Sequence, residues 1–450
     1  MNVIRDGAGR VADVVQLGLG AGVLRPLFRR LARHRPDWLA RARHEPFAAR
    51  GDAFVRTVGR LEKVVFVAKM LGTDGGYAAC LRAKRPSSAE PRRDENAHSF
   101  DGSELLFTGD LLCPGRLDEG SLSPALRARI ARAACLIMNV EGTVGTRRHA
   151  IAPFLSRRGL QQLLAYERDP EDAGWVSRLD VDDLAALLRG LAIPRVIASV
   201  ANNHTLDDGL RGFDRTLALL RGLGVDVVGD ARTDDGVRIV DVGPHRVGLV
   251  AITYGSNRAC VRDDVQLRFD EVPYRLSQAR MAAIVDRLRA RGTTHAIALL
   301  HWGYEHEHEP APEQRACAAV LFEAGFSAVI GHHPHILQRS DAHAGRWVSY
   351  SLGDFIGGDR TIWSRFGSIV ALRLGPNGAV SGEVIPTAQS PFWKPHETML
   401  LEEAPPFERR VFARFFGDET ARSADTDLPS QDLVDRRACA ATPARGMEAT

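Results

Sequence analysis

Paired cysteines are missing from this chain. Its six cysteines (Cys80, Cys113, Cys135, Cys260, Cys317 and Cys439) are scattered over 450 residues, and no two form a CxxC pair. That spacing excludes a zinc ribbon and a disulfide framework and reads as buried thiols in a reducing compartment. Long apolar runs are missing too: no stretch reaches the roughly 18–20 residues that cross a bilayer. The most apolar early run, Val14 to Leu24, is interrupted by Gly18, Gly20 and Gly22 and preceded by Arg5, Asp6, Arg10 and Asp13. No small-x-small cleavage site leads from it into a polar start, so it is not read as a secretory signal, and the expected location is cytoplasmic. Charge of one sign is also lacking. With 59 Lys and Arg against 56 Asp and Glu, the formal charge is +3. This near-balance argues against a nucleic-acid partner held by bulk charge.

What is present divides into zones. Residues 1–81 are arginine-rich, with Arg25, Arg29, Arg30, Arg33, Arg35, Arg41 and Arg43 among Leu24, Leu27, Phe28, Leu31, Trp38 and Leu39. That is helical spacing with a basic face, and a second helical pattern is expected from Phe54 to Leu71. The arginines are read as a solvated face; the alternative is a weak contact with an anionic membrane surface or a partner protein. Residues 82–99 read as a linker and 418–450 as a polar tail. Between them, residues 100–417 alternate apolar runs with helical patterns (Gly212–Leu223, Leu276–Arg289, Pro312–Ala324), which predicts an α/β core. Runs over 238–253 and 366–386 predict antiparallel pairs, the second turning at Gly375 to Gly378.

The chemistry lies where the runs end. Leu105–Thr108 leads to Gly109-Asp110, and Cys135–Met138 leads to Asn139-Val140-Glu141. Val196–Val200 leads to Asn202-Asn203-His204, Ala296–Leu300 to His301, and Ser327–Ile330 to Gly331-His332-His333-Pro334-His335. In open α/β sheets, ligands bind at the carboxyl ends of strands, so these side chains can converge. Carboxylate, amide oxygen and imidazole together suit a divalent transition metal, and the set is large enough for two ions. Singly, each residue has a plainer reading: a hydrogen-bonded core histidine, or an asparagine turn. His333 and His335, taken as extended, would point two imidazoles to one side. Glu305-His306-Glu307-His308-Glu309 is read as a polar loop at the site mouth, and Asp207 and Asp208 as cap or dipole partners of the helix that follows.

The strings GDLLCPGRL, NVEGTV, ANNHTLDDGLRGFDRTLALLRGLGVDVVGDA, HWGYEHEHEPAPEQ, GHHPHILQ and YSLGDF occur in this order between Leu105 and Gln389. Together they resemble the CapA family, which is named for capsule and poly-γ-glutamate synthesis proteins. That family is similar in fold to the calcineurin-like metallophosphoesterases. The resemblance implies a four-layer α-β-β-α sandwich, here carrying a helical N-terminal extension, with one or two divalent ions (Mn, Fe or Zn). It implies Asp110, Glu141, Asn203, His301, His333 and His335 as metal ligands. His204 is implied as the residue that polarises substrate, with His332 supporting the ligands and Glu305 as a further acidic site residue. The first motif carries Leu112 where the phosphoesterases carry histidine, and the second carries Glu141 where they carry aspartate. Asp354, where family members often carry asparagine, is read as a turn residue near the site.

The expected activity is metal-dependent hydrolysis of a phosphoester or amide-type bond. Two alternatives are kept: a non-catalytic assembly factor for an anionic polymer, and a peptide epimerase moving a Cα proton with the same side chains. The segment Gly145 to Asp180 contains Arg147, Arg148, Arg157 and Arg158 with Phe154, Tyr166 and Trp175. It suggests an anionic or peptidic substrate.

Overall fold

The structure is a computed structural model of the full chain. It describes residues 47–50, 53–56, 103–112, 115–146, 148, 176–257, 265–270, 274–357, 362–391 and 394–416. The linker, the C-terminal tail, the arginine-bearing part of residues 1–81 and most of the Gly145 to Asp180 segment lie outside them. Strands β1 (Phe47–Arg50) and β2 (Ala53–Arg56) pair antiparallel on either side of Gly51-Asp52. This replaces the start of the helical pattern expected from Phe54; a glycine-led pair is a short hairpin signal that the arginine periodicity masked.

The main domain begins with β3 (Glu104–Leu111), α1 (Pro124–Ile130), β4 (Cys135–Val140), β5 (Thr143–Gly145) and β6 (Arg178–Asp180). It continues with α2 (Val181–Arg189), β7 (Val196–Ser199), α3 (Gly209–Gly222), β8 (Asp226–Val228), β9 (Val237–Val242) and β10 (His245–Thr253). Next come α4 (Gln278–Ala290), β11 (His295–His301), α5 (Pro312–Glu323), β12 (Ala328–His332), β13 (Ser340–His343) and β14 (Arg346–Ser349). Last are β15 (Asp354–Ile356), β16 (Phe366–Leu374), β17 (Val380–Gln389), β18 (Thr398–Leu400) and α6 (Pro406–Phe416).

One sheet has the order β18-β17-β16-β3-β4-β7-β8, with β15 added beside β3; the other has the order β13-β14-β12-β11-β10-β9. In the first, β15, β3, β4, β7 and β8 are parallel, and in the second β10, β11, β12 and β14 are parallel. The expected pairs are antiparallel hairpins, β9 with β10 and β16 with β17.

Side-chain alternation explains the layers. Leu105 and Phe107 of β3 meet Leu249, Ile297 and Ile330 of the other sheet in a shared central core. Leu106 and Leu136 point the opposite way, against Leu126, Leu184, Phe213 and Leu217 of α1, α2 and α3. On the far side, Val250, Ala298 and Leu300 meet Met281, Ile284 and Leu321 of α4 and α5. A period of two thus puts successive residues into different cores, and strands covered on both faces need continuous apolar runs. The result is the four-layer α-β-β-α sandwich.

The helices start at sequence-coded caps. Ser123 Oγ accepts from Leu126 N at 3.2 Å, with Pro124 in the first turn, and Ser277 Oγ accepts from Arg280 N at 3.3 Å. Both are N-caps that satisfy an otherwise orphaned donor. Among the described residues, no helix is long and apolar enough to cross a membrane.

Cys135 and Cys317 are buried thiols, and Cys317 Sγ donates to Tyr274 O at 2.6 Å. Burial pushes the Cys135 thiol up to about 12, so it carries almost no nucleophilic thiolate at neutral pH. Peptide-level mass spectrometry after maleimide treatment should find Cys135 unmodified in native protein and modified in denaturant. Native labelling at the rate of a free thiol would contradict this placement.

Candidate metal centre

Parallel pairing brings the ends of β3, β4, β7, β11 and β12 to one edge of the sandwich, and each delivers one polar cluster. Asp110 near the end of β3 is buried, with Oδ1 accepting from Asn139 Nδ2 at 2.7 Å and Oδ2 accepting from His333 N at 3.0 Å. Glu141 follows β4 and is held there by its N–H, which donates to Leu111 O at 3.0 Å. Its side chain is wholly buried, yet neither carboxylate oxygen has a hydrogen-bond partner. His301 Nε2 lies 3.6 Å and His335 Nε2 3.7 Å from its Oε1. Burial pushes the Glu141 carboxyl well above the usual range; His335 opposes this, while Asp110, Asp354 and Glu305 add to it.

The histidines differ in charge. Burial, reinforced by its histidine neighbours, holds His301 well below its ordinary pKa, so it is a neutral imidazole. Its Nε2 is 2.9 Å from Asn203 Oδ1. Burial also works against charge on His335, but Glu141, Asp354 and Asp110 outweigh it and hold that pKa well above the ordinary value. His335 Nδ1 lies 2.9 Å from Asp354 Oδ1 and 3.5 Å from Asp110 Oδ2. The rings of His333 and His335 are 6.0 Å apart, and those of His301 and His333 are 4.7 Å apart.

His333 and His335 do not converge by lying on an extended segment. β12 ends at His332, and His333 (φ +98°) and His335 (φ +58°) both take left-handed backbone. Two strained residues around Pro334 turn the chain back over the strand ends. Such conformations cost on the order of 1–3 kcal/mol each and collect at functional sites.

The structure distributes the remaining expected residues. His204 is buried; its Nδ1 is 2.7 Å from Asp207 Oδ2, and its Nε2 faces Asn257 Nδ2 at 3.4 Å. His332 sends Nε2 to the Thr108 carbonyl at 3.0 Å, which ties β12 to β3 behind the ligands. Glu305 is buried, and its charge reaches Glu141. Asn202 braces the turn: its Nδ2 donates to Val140 O at 2.8 Å, and its Oδ1 accepts from His204 N at 3.1 Å.

Three readings change. Asp208 takes the N-cap position of α3, but no side-chain cap bond forms there. Asp207 accepts from Ser177 N at 2.9 Å besides holding His204, and Asp208 pairs with Arg178 and Arg215. His306 and His308 lie in a loop, as expected, but are buried within it, and they part company. His306 (φ +59°) faces His335 with rings 6.3 Å apart, whereas His308 packs on Trp363 and Phe416. Asp354 belongs to the cluster itself. Asn257 also went unread, because its strand β10 looked like half of a hairpin; the signal was the polar Gly255-Ser256-Asn257 that follows an apolar run, as at the other strand ends.

Burial raises the Asp208 carboxyl, but hydrogen bonds from Arg178 and Thr143 outweigh it and hold the pKa below the usual range. A lowered folded pKa stabilises above the unfolded carboxyl value, near 4, and that contribution fades as pH falls through the folded value. Asp208→Asn should therefore cost about 1–3 kcal/mol in urea melts at pH 7. The gap between variant and wild type should close in strong acid; a gap that persists there would refute the assignment.

Three groups bring one donor atom per residue within 4.8 Å of each other: Asp110–Glu141–His301, Glu141–His333–His335 and Asp110–His335–Asp354. A buried carboxylate without a hydrogen-bond donor is costly unless a cation meets it. The donor set therefore fits a divalent metal ion, which Asp110, Glu141, His301, His333 and His335 would hold.

Comparison with known proteins agrees with the motifs. The family model described as bacterial capsule synthesis protein PGA_cap matches residues 104–359. The chain is 28% identical over 195 residues to capsule biosynthesis protein CapA of Bacillus anthracis, covering 42% of this chain and 47% of that protein. It is 28% identical over 202 residues to PGA biosynthesis protein CapA of Bacillus subtilis, covering 42% and 50%. The chain thus spans about half the length of the curated relatives it matches. Among solved structures it is similar to the NAD nucleotidase of Haemophilus influenzae, with a TM-score of 0.35 and 11% identity over 75% of this chain and 66% of that one. With the match running through every strand end that carries the cluster, this chain belongs to the bacterial capsule synthesis protein PGA_cap family.

Proposed function

We propose that this chain is a metal-dependent hydrolase that cleaves a phosphoester or amide-type bond of an anionic or peptidic substrate in capsule or poly-γ-glutamate synthesis. The observation that carries this reading is Glu141, a fully buried carboxylate without a hydrogen-bond donor, ringed by Asp110, His301 and His335. A divalent ion there would supply Lewis acidity, making a water acidic near neutral pH and drawing charge from a phosphoryl or carbonyl oxygen. The protein supplies the rest. Asp207 accepts a hydrogen bond from His204 Nδ1, which turns Nε2 toward Asn257 and makes it the ring atom that would exchange a proton with a leaving group. Asn257 holds that ring and Asn203 together, its Oδ1 accepting from Asn203 Nδ2 at 3.3 Å. Tyr254 packs on His301 and His333 with ring separations of 6.0 and 4.9 Å, which keeps water off the back of the imidazoles.

The test is metal analysis of purified protein with turnover of bis(p-nitrophenyl) phosphate and γ-glutamyl-p-nitroanilide in added Mn²⁺. The expected result is about one or two equivalents of metal per chain and hydrolysis of at least one substrate that chelator abolishes. Metal-free protein that hydrolyses neither when Mn²⁺ is added would favour the assembly role instead.

A further inference from the structure

Asp207 and Asp208 sit side by side in the turn after His204, and both are held by the strand pair that follows Glu141. Asp207 Oδ2 lies 2.7 Å from His204 Nδ1 and also accepts from Ser177 N at 2.9 Å. Arg178, the next residue and the first of β6, grips Asp208 with a two-pronged guanidinium contact, its Nε donating to Oδ2 at 2.6 Å. Thr143 adds a hold from β5: its Oγ1 donates to Asp208 Oδ2 at 2.8 Å, and its N–H to Ser177 O at 2.9 Å. β5 starts just beyond Glu141, so one strand pair registers both the buried carboxylate and the Asp207–His204 pair. The arrangement is kept against local preference. Asp208 stands at the N-cap of α3, yet its side chain makes no cap bond to the helix, which forgoes the stabilisation a cap normally gives. Gly212 lies inside α3, where glycine is unfavourable, and a Cβ there would strike Asp208 Cβ at 2.1 Å. Gly142 has φ +148°, and a Cβ there would meet Ser177 O at 2.5 Å. A forgone cap and two glycines thus seat residues 207–208 against 177–178, and local rules are broken in this way where function constrains the chain.

We propose that Arg178, acting through Asp208, is a positioning residue for His204. This rests on the reading of His204 as the proton-exchanging residue and deepens it. The guanidinium fork fixes the Asp208 side chain and holds β6 against the turn, which keeps Ser177 N on Asp207. With that donor in place, the Asp207 carboxylate is locked beside His204 Nδ1, and the ring keeps Nε2 toward Asn257. Supporting hydrogen bonds of this kind hold a reacting side chain in its productive orientation. Lysine is no substitute, because it offers a point charge without the planar fork. The contribution is selective. A leaving group that departs as a stable anion needs little from His204, whereas a more basic one depends on its proton.

The experiment compares leaving groups. Full-length wild type, Arg178→Ala, Arg178→Lys and Arg129→Ala are assayed in Mn²⁺ on diphenyl phosphate against bis(p-nitrophenyl) phosphate, and on γ-glutamyl anilide against γ-glutamyl-p-nitroanilide. Both Arg178 variants should lose kcat about tenfold on the unsubstituted substrate but no more than about twofold on its nitro counterpart, with KM unchanged. In a His204→Asn background the Arg178 substitutions should have no further effect. Arg129→Ala, which removes a half-buried pair with Glu104 at the far end of β3 from Asp110, should match wild type. A second readout needs no turnover. In metal-stripped protein labelled with ¹⁵N-histidine, the His204 Nδ1–H is assigned by its absence in His204→Asn. It should exchange slowly with solvent in wild type and at least about tenfold faster in both Arg178 variants. Melting curves verify folding, and Arg178→Lys carries the test if Arg178→Ala unfolds. The proposal is overturned if the loss is equal on both members of a substrate pair, if it persists without His204, or if Nδ1–H exchange is unchanged. Wild type that hydrolyses none of the four substrates would remove the hydrolase reading, while the exchange measurement would still decide the role of Arg178.

Discussion

Replacing Glu141 by methionine should abolish tight divalent-metal binding while leaving the metal-free protein as stable as wild type or more so. The two effects have one cause. Glu141 is wholly buried, and neither of its oxygens accepts a hydrogen bond. Leaving a buried polar group unsatisfied costs about 1–3 kcal/mol. Methionine has a similar length, is flexible enough to fill the space and brings no orphaned acceptor. The metal-free variant should therefore gain up to about that amount, while metal affinity falls at least about 100-fold. A carboxylate kept for structure would behave in the opposite way, because breaking a buried ion pair typically costs about 3–5 kcal/mol. Calorimetric metal titration and denaturant melts in chelator give both numbers. Unchanged affinity, or a metal-free variant destabilised by about 3 kcal/mol, would defeat the assignment. A companion measurement uses His335, which the surrounding carboxylates hold protonated well above the ordinary range. A metal ion must displace that proton, so uptake should release protons and affinity should rise with pH.

Gly109→Ala should damage both fold and site. A Cβ at Gly109 would lie 2.0 Å from Gly353 O and 3.1 Å from Leu352 O. The oxygen it strikes first already accepts from Asp110 N at 3.0 Å. Gly353 cannot retreat, because its own open side is closed by Phe366 O, 2.7 Å from where a Cβ would be, and its φ is +64°. The strain must open the pairing of β3 with β15, which sets Asp110 beside Asp354. Overpacking of this kind costs about 1–3 kcal/mol, and contact with fixed backbone puts this case at the upper end. Mn²⁺ affinity should drop at least about tenfold with it. Gly224→Ala is the control: φ is +76° there but nothing lies within 4 Å of the added carbon. It should cost only about 1 kcal/mol through backbone strain. Equal effects of the two substitutions would show that contact at Gly109 is not the cause.

Gly109 also shows where the sequence stopped being legible. The apolar run before it announced a buried strand, and Asp110 announced a polar strand end. Nothing local reported that Gly353, far along the chain, would approach within hydrogen-bond reach. The same holds for Asp354, whose turn-like setting in Ser351-Leu352-Gly353-Asp354 hid a partnership that exists only across the β15–β3 pair. The convergence of His333 and His335 was anticipated, but for the wrong reason: left-handed backbone at both residues, not strand alternation, brings them together. His204 was legible from its motif, whereas its partner Asp207 was taken for a cap or dipole partner of the next helix because its sequence position suits one.

The sequence by itself determined the five strands that end in polar clusters, the β9–β10 and β16–β17 pairs, three of the six helices described (α3, α4 and α5), and the residue types available at each strand end. Hydrophobic periodicity and capping act over a few neighbours, and their signals are local. The tertiary structure alone decided which strand ends meet, which donors remain unsatisfied once they do, and which glycines must stay bare. Those depend on parallel pairing between segments up to about two hundred and fifty residues apart (Asp110 with Asp354), and on burial, which removes the water that would otherwise satisfy Glu141.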